Sequence, residues 1–174
     1  MSRLTPPVSE ADHRSGPGDA PVTLVEYGDF ECPYCGAAYP QVEEVRRRMG
    51  ARLRFVYRHF PLTQMHPHAL HAAEAAEAAG AQGKFWQMHA LLFEHQDALE
   101  DADLSLYAKA IALDVKRFTS ELASEAHAAR IREQIRSGIR SGVNGTPTFF
   151  INGVRYDGSW AASDLLSALE AAAA

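Results

Sequence analysis

The sequence predicts an α/β protein, and three observations carry that expectation. A β-rich run, a helical stretch and a second β-rich run follow one another within residues 22–58. From Pro67 to about Gly142 the composition turns to Ala, Glu, Leu and Gln, as in packed helices. Beyond that block, two short β-rich runs flank Asn152-Gly153 and lead into a last amphipathic helix. With 174 residues, 47% hydrophobic and 22% charged, the chain is long enough to bury one core without covalent staples.

Taken in order, residues 1–20 are rich in Pro, Gly, Ser and charge and read as a loosely docked N-terminal arm. Val22 to Tyr27 is almost wholly apolar, which predicts a strand buried on both faces. Pro33 suits the first turn of a helix that runs to about Met49, with Val42 and Val45 on its apolar side. Pro40 is expected to kink it and Gly50 to end it. Arg52 to Arg58 alternates in polarity and makes a second strand, so the unit is a right-handed βαβ with parallel strands. The next block reads as four or five helices, at 67–80, 83–95, 103–112, 115–122 and 124–141. Thr148 to Tyr156 folds back at Asn152-Gly153, a two-residue hairpin turn, and Leu165, Leu166 and Leu169 form the buried stripe of a helix at 161–173. The order β-α-β, helical insert, β-β-α is a thioredoxin-like layout. It divides the chain into an arm (1–20), a thioredoxin-like domain (21–62 and 143–174) and an inserted helical bundle (63–142).

Charge and composition exclude several classes of function. A net charge of −5 gives nucleic acid no electrostatic footing. The one basic run, Arg46 to Arg48 with Arg52 and Arg54, alternates with Glu43 and Glu44 and reads as a solvated helix face. No stretch approaches the ~20 apolar residues of a membrane span. The first residues lack the apolar core of a secretory signal, so the expected compartment is the cytoplasm, or an extracytoplasmic space if a leader has been removed. No phosphate-binding glycine motif follows a strand, so no nucleotide cofactor is expected. Phe85, Trp86, Met88, Leu91, Leu92 and Phe93 are helically spaced and read as bundle core.

The chemistry concentrates at Cys32 and Cys35, the only two cysteines. They lie where a strand ends and a helix begins. There, unpaired amides and the helix dipole favour a thiolate at Cys32, the species that attacks a disulfide. Cys35, one turn on, can close a disulfide with it, and Pro33 stiffens the loop between them. A structural zinc site would need further ligands, and no second Cys pair or suitably spaced His supplies them. A buried structural pair fits poorly in a loop flanked by Asp29 and Glu31. His66, His68 and His71 invite a metal reading, but a polar helix start near the active-site groove accounts for them more simply.

Val22 to Gly36, containing Phe30-Glu-Cys-Pro-Tyr-Cys-Gly36, and Gly145-Thr-Pro-Thr-Phe-Phe-Ile-Asn-Gly153 together resemble the DsbA family of thioredoxin-fold oxidoreductases over about residues 20–173. The resemblance implies protein disulfide oxidoreductase activity, with protein or peptide thiols and disulfides as substrates and an unidentified redox partner. It implies no cofactor beyond the Cys32–Cys35 disulfide itself. By the same resemblance Cys32 is the exposed nucleophile and Cys35 the buried resolving thiol. Pro147 is a cis-proline whose loop packs on the cysteines, and Thr146 tunes the thiolate and substrate release. Pro33 and Tyr34 line the substrate side, and Glu26 is a buried acid that passes a proton to Cys35. Strongly oxidising members carry His where this chain has Tyr34, which also suits a glutaredoxin-like site. With Asp29 and Glu31 disfavouring nearby negative charge, an intermediate redox potential is expected. Two rival readings are a glutathione-linked transferase or isomerase on the same scaffold, which would not need Cys35, and a redox-inactive chaperone or binding module.

Overall fold

The computed structural model describes all residues, Met1–Ala174. Five strands form one mixed sheet: β1 (His13–Ser15), β2 (Val22–Gly28), β3 (Leu53–His59), β4 (Thr148–Ile151) and β5 (Val154–Tyr156), in the order β1-β3-β2-β4-β5. Central β2 pairs in parallel with β3 and antiparallel with β4, as the βαβ and hairpin patterns predict. The hairpin turns at Asn152 and Gly153, whose φ angles of 48° and 79° are the paired positive values that such a turn requires.

Helix α1 (Pro33–Met49) connects β2 to β3 and runs unbroken through Pro40. Between β3 and β4 stand five helices: α2 (Ala69–Ala81), α3 (Phe85–Glu94), α4 (Asp101–Ala110), α5 (Val115–Ala123) and α6 (Ala128–Arg140). Helix α7 (Ala162–Ala173) ends the fold. Helix boundaries fall within a few residues of the expected ones, because end residues are set by caps such as Asp114 on Arg117 N rather than by apolar period.

The sheet separates two apolar layers. On one face Leu24, Phe55 and Tyr57 pack with α1, α3 and α7 in the main core. On the other, Val25, Tyr27, Val56 and Phe150 meet Leu4, Phe60 and Val143. Helix α2 enters the main core through Ala72, Ala75, Ala76 and Ala79, small residues that let it approach closely.

The expectation for residues 1–20 needs correction. Far from a loose arm, this segment is packed along the sheet. His13 to Ser15 pair antiparallel with β3, and Leu4 is buried. Arg58 holds Asp12 in a two-pronged ion pair at 2.8 and 3.0 Å and also donates to the carbonyls of Pro6 and Pro7. Buried backbone groups and a buried guanidinium must find partners, and here each finds the other. No helix is long and apolar enough to cross a membrane.

Candidate active site

Strand β2 ends at Gly28, and Asp29, Phe30 and Glu31 turn the chain into α1, whose N-cap is Cys32 itself. Asp29 builds this turn. Its buried carboxylate accepts from the amides of Glu31 (2.8 Å) and Cys32 (3.2 Å) through Oδ1, and from the Leu62 amide (2.9 Å) through Oδ2. From the far side, Gln96 Nε2 donates to the carbonyls of Phe30 and Cys32 at 2.8 and 2.9 Å. Gln96 lies just past α3, and sequence reasoning missed it. The one local signal is Gly36: a Cβ there would stand 1.9 Å from Gln96 Oε1, so a larger residue would displace the end of that side chain.

Cys32 and Cys35 are both free thiols, one helical turn apart. Cys35 is fully buried and Cys32 only 3% exposed, so the nucleophile is more covered than the resemblance implied. The cover comes from the segment after α6: Cys32 Sγ lies 3.5 Å from the Thr146 carbonyl oxygen, and the Thr146–Pro147 bond is cis. Residues more than a hundred positions apart therefore meet at one sulfur. Tyr34, by contrast, is 69% exposed and Pro33 is exposed beside it.

The two sulfurs are electrostatically unequal. Hydrogen bonding from Cys35, then from Thr146 and the amides of α1, lowers the Cys32 pKa to about 5 against the opposing effect of burial. Burial drives the Cys35 pKa well above the ordinary thiol value, and the charge of Glu26 adds to it. At neutral pH the pair is thus a thiolate that accepts a hydrogen bond from a thiol. Glu26 lies on β2 opposite Tyr57 and Phe149, 3% exposed, with one oxygen unpartnered. Burial raises its pKa to about 8, with Glu43 and Cys32 contributing.

Asp29 and Glu31, expected to disfavour negative charge at Cys32, are both paired. Each acid has its own histidine. His66 Nδ1 donates to Asp29 at 2.7 Å, and His68 Nδ1 donates to Glu31 at 2.9 Å. His71 faces a third carboxylate, Asp101, at 3.3 Å. The three histidines are distributed among separate acids rather than gathered round one point.

Residues 8–171 match the family model described as Thioredoxin. The chain belongs to the thioredoxin family. A thioredoxin-like oxidoreductase from Silicibacter pomeroyi DSS-3 superposes with a TM-score of 0.82 at 27% identity, over 94% of this chain and 93% of that one. Oxidised BdbD from Bacillus subtilis shares the fold at a TM-score of 0.86 and 21% identity, over 99% and 98% of the two chains. In sequence, 169 residues are 51% identical to a Na+/H+ antiporter NhaA 1 of Salinispora arenicola, taking in 97% of this chain and 26% of that protein. The chain spans about a quarter of the length of the curated relatives it matches. As a thioredoxin-family fold it carries a block of five helices between β3 and β4, within the span that superposes on BdbD.

Proposed function

We propose that this thioredoxin-family chain exchanges disulfides with protein or peptide substrates through Cys32 and Cys35. The observation that carries the reading is the inequality of the two sulfurs beside the Thr146–Pro147 loop: a stabilised thiolate at a helix N-terminus backed by a buried thiol. In the reducing direction, the Cys32 thiolate attacks one sulfur of a substrate disulfide and expels the other as a thiolate, leaving a mixed disulfide. The ionised fraction of Glu26, small at pH 7 and growing as pH rises toward 8, takes the Cys35 proton. The resulting Cys35 thiolate then attacks Cys32, releasing the second substrate sulfur and forming the Cys32–Cys35 disulfide. The oxidising direction is the reverse. The Thr146 backbone, which no strand pairs, is where an extended substrate aligns. Tyr34 and Pro33 form its exposed neighbours.

Compartment sets the direction: a reducing cytosol holds the pair as a dithiol, an oxidising space as a disulfide, each through its own redox partner. A glutathione-linked transferase would have no use for a buried resolving thiol, and a redox-inactive module would need neither sulfur. Insulin reduction with dithiothreitol tests the reading. Cys35→Ser should trap mixed disulfides on Cys32, and Cys32→Ser should abolish trapping. Rapid alkylation of Cys35 ahead of Cys32, or loss of neither activity nor trapping in Cys32→Ser, would overturn it.

A further inference from the structure

The turn that presents Cys32 is joined to the segment before α2 by a pair of side chains that the exchange steps leave unused. Asp29 is fully buried, and both its oxygens are occupied: Oδ1 by the amides of Glu31 and Cys32, Oδ2 by the amide of Leu62 and the ring of His66. A buried carboxylate bonded directly to the Cys32 amide opposes a second negative charge on that residue's sulfur. His66 supplies the compensation. Because a carboxylate only accepts, Nδ1 of His66 is the donor, which leaves Nε2 as the titrating nitrogen. The ring is 14% exposed, so its pairing with Asp29 is poorly screened, whereas His68 beside Glu31 is 42% exposed.

The backbone fixes this ring in place. The amides of Met65 and His66 both donate to the Leu62 carbonyl at 2.9 Å, while Leu62 itself is held by Asp29. The charged or titrating groups facing His66 are Asp29, Cys32 and Glu31, all acidic. Burial works against a charge on His66; the hydrogen bond and charge of Asp29, followed by Cys32 and Glu31, outweigh it and raise the His66 pKa.

We propose that His66 is a positioning residue for disulfide exchange, its ring bound to Asp29 and, when protonated, compensating that carboxylate and supplying, from outside the Cys-Pro-Tyr-Cys loop, the positive charge that Tyr34 does not. The inference rests on the exchange reading given above. Its consequence follows from the reciprocity of linkage: if His66 favours the Cys32 thiolate, that thiolate favours a protonated His66 by an equal amount. Oxidation converts the thiolate to a neutral disulfide sulfur and removes the effect.

The test is an NMR titration of the His66 ring in the full chain, once as dithiol and once as disulfide. The midpoint is expected to lie higher in the dithiol protein by about half a unit or more, and equal midpoints would overturn the proposal. Two variants separate charge from support. His66→Asn keeps an N–H donor for Asp29 and loses the titrating charge; His66→Ala loses both. Both should raise the Cys32 pKa, read from the pH dependence of iodoacetamide alkylation, by about half a unit, a roughly threefold loss of thiolate below the midpoint. A wild-type value in His66→Asn would reduce His66 to a loop support and refute the charge role. His68→Gln, at the exposed pair, should leave the Cys32 value in place. None of these readouts needs turnover. Shifted midpoints in a protein that fails to reduce insulin would sink the exchange reading while leaving the coupling intact.

Discussion

Glu26 is a carboxyl group held where water does not reach, between a strand partner, Tyr57, and the helix that carries Cys35. Its pKa of about 8 against an ordinary 4.5 means that it is neutral at pH 7 and ready to accept or give a proton near that pH. The same shift has a cost in stability. A carboxyl whose pKa is raised by folding binds its proton more tightly in the native state, so stability falls as pH rises from about 4.5 to about 8. At about 1.4 kcal/mol per unit, holding Glu26 in the fold costs about 3 kcal/mol at pH 7. Glu26→Gln should flatten the urea-derived stability between pH 5 and 8 and slow the resolving step by Cys35. A stability profile as steep as that of the wild type would contradict the assignment. The burial of Glu26 was legible in the sequence, since apolar neighbours on both sides left its strand no wet face. The link from Asp29 to His66 was not, because two polar residues 37 positions apart leave no periodic trace.

At the scale of elements, α1 begins where Gln96 reaches across from the end of α3 and holds two carbonyls of the turn. This side chain ties the start of the cysteine helix to the inserted helices, alongside the packing of Tyr39 on His89 and Phe93. Gly36→Ala would push its amide away, and Gln96→Ala would delete it. Each variant should cost about 1–2 kcal/mol, typical of orphaned hydrogen-bonding groups. The double variant should cost much less than the sum, because both changes break one contact, and strict additivity in chemical denaturation would show that the two act separately. Strands β2 and β3 and helices α1 and α7 were readable from apolar period, and the β4–β5 hairpin from Asn152-Gly153. Strand β1 was not. His13-Arg14-Ser15 is three polar residues whose strand character comes only from pairing with Tyr57, Val56 and Phe55. Tertiary pairing of that kind overrides a composition that reads as coil.

On the scale of the whole molecule, the first fifteen residues act as a strap across the sheet. Leu4 donates to the Gly153 carbonyl and Arg155 to that of Ser2, so the strap begins beside β5; it passes the Arg58–Asp12 pair and ends on β3. Arg58 and Asp12 are 3% and 7% exposed at the side chain, so breaking the pair strands a buried guanidinium. Asp12→Ala should therefore destabilise the protein by about 3 kcal/mol at pH 7. Burial raises the Asp12 pKa, but the hydrogen bond and charge of Arg58 with the Ser9 amide outweigh it and hold the pKa below the usual 3.8. The pair's contribution is thus complete above about pH 4 and disappears as pH falls further, so wild type and Asp12→Ala should converge in acid. Undiminished separation of their denaturation midpoints at pH 2 would refute this. The course of the strap has another effect, on what the molecule does with its neighbours. A sheet ends in rows of unpaired amides and carbonyls, an invitation to any second copy to add a strand. Here residues 2–4 occupy one such border and residues 13–15 the other, and what is left outermost on the β3 side is three polar residues ending at a glycine. The contacts that anchor residues 2–15 are the same ones that cover the amides and carbonyls β3 and β5 would otherwise leave open along the borders of the sheet.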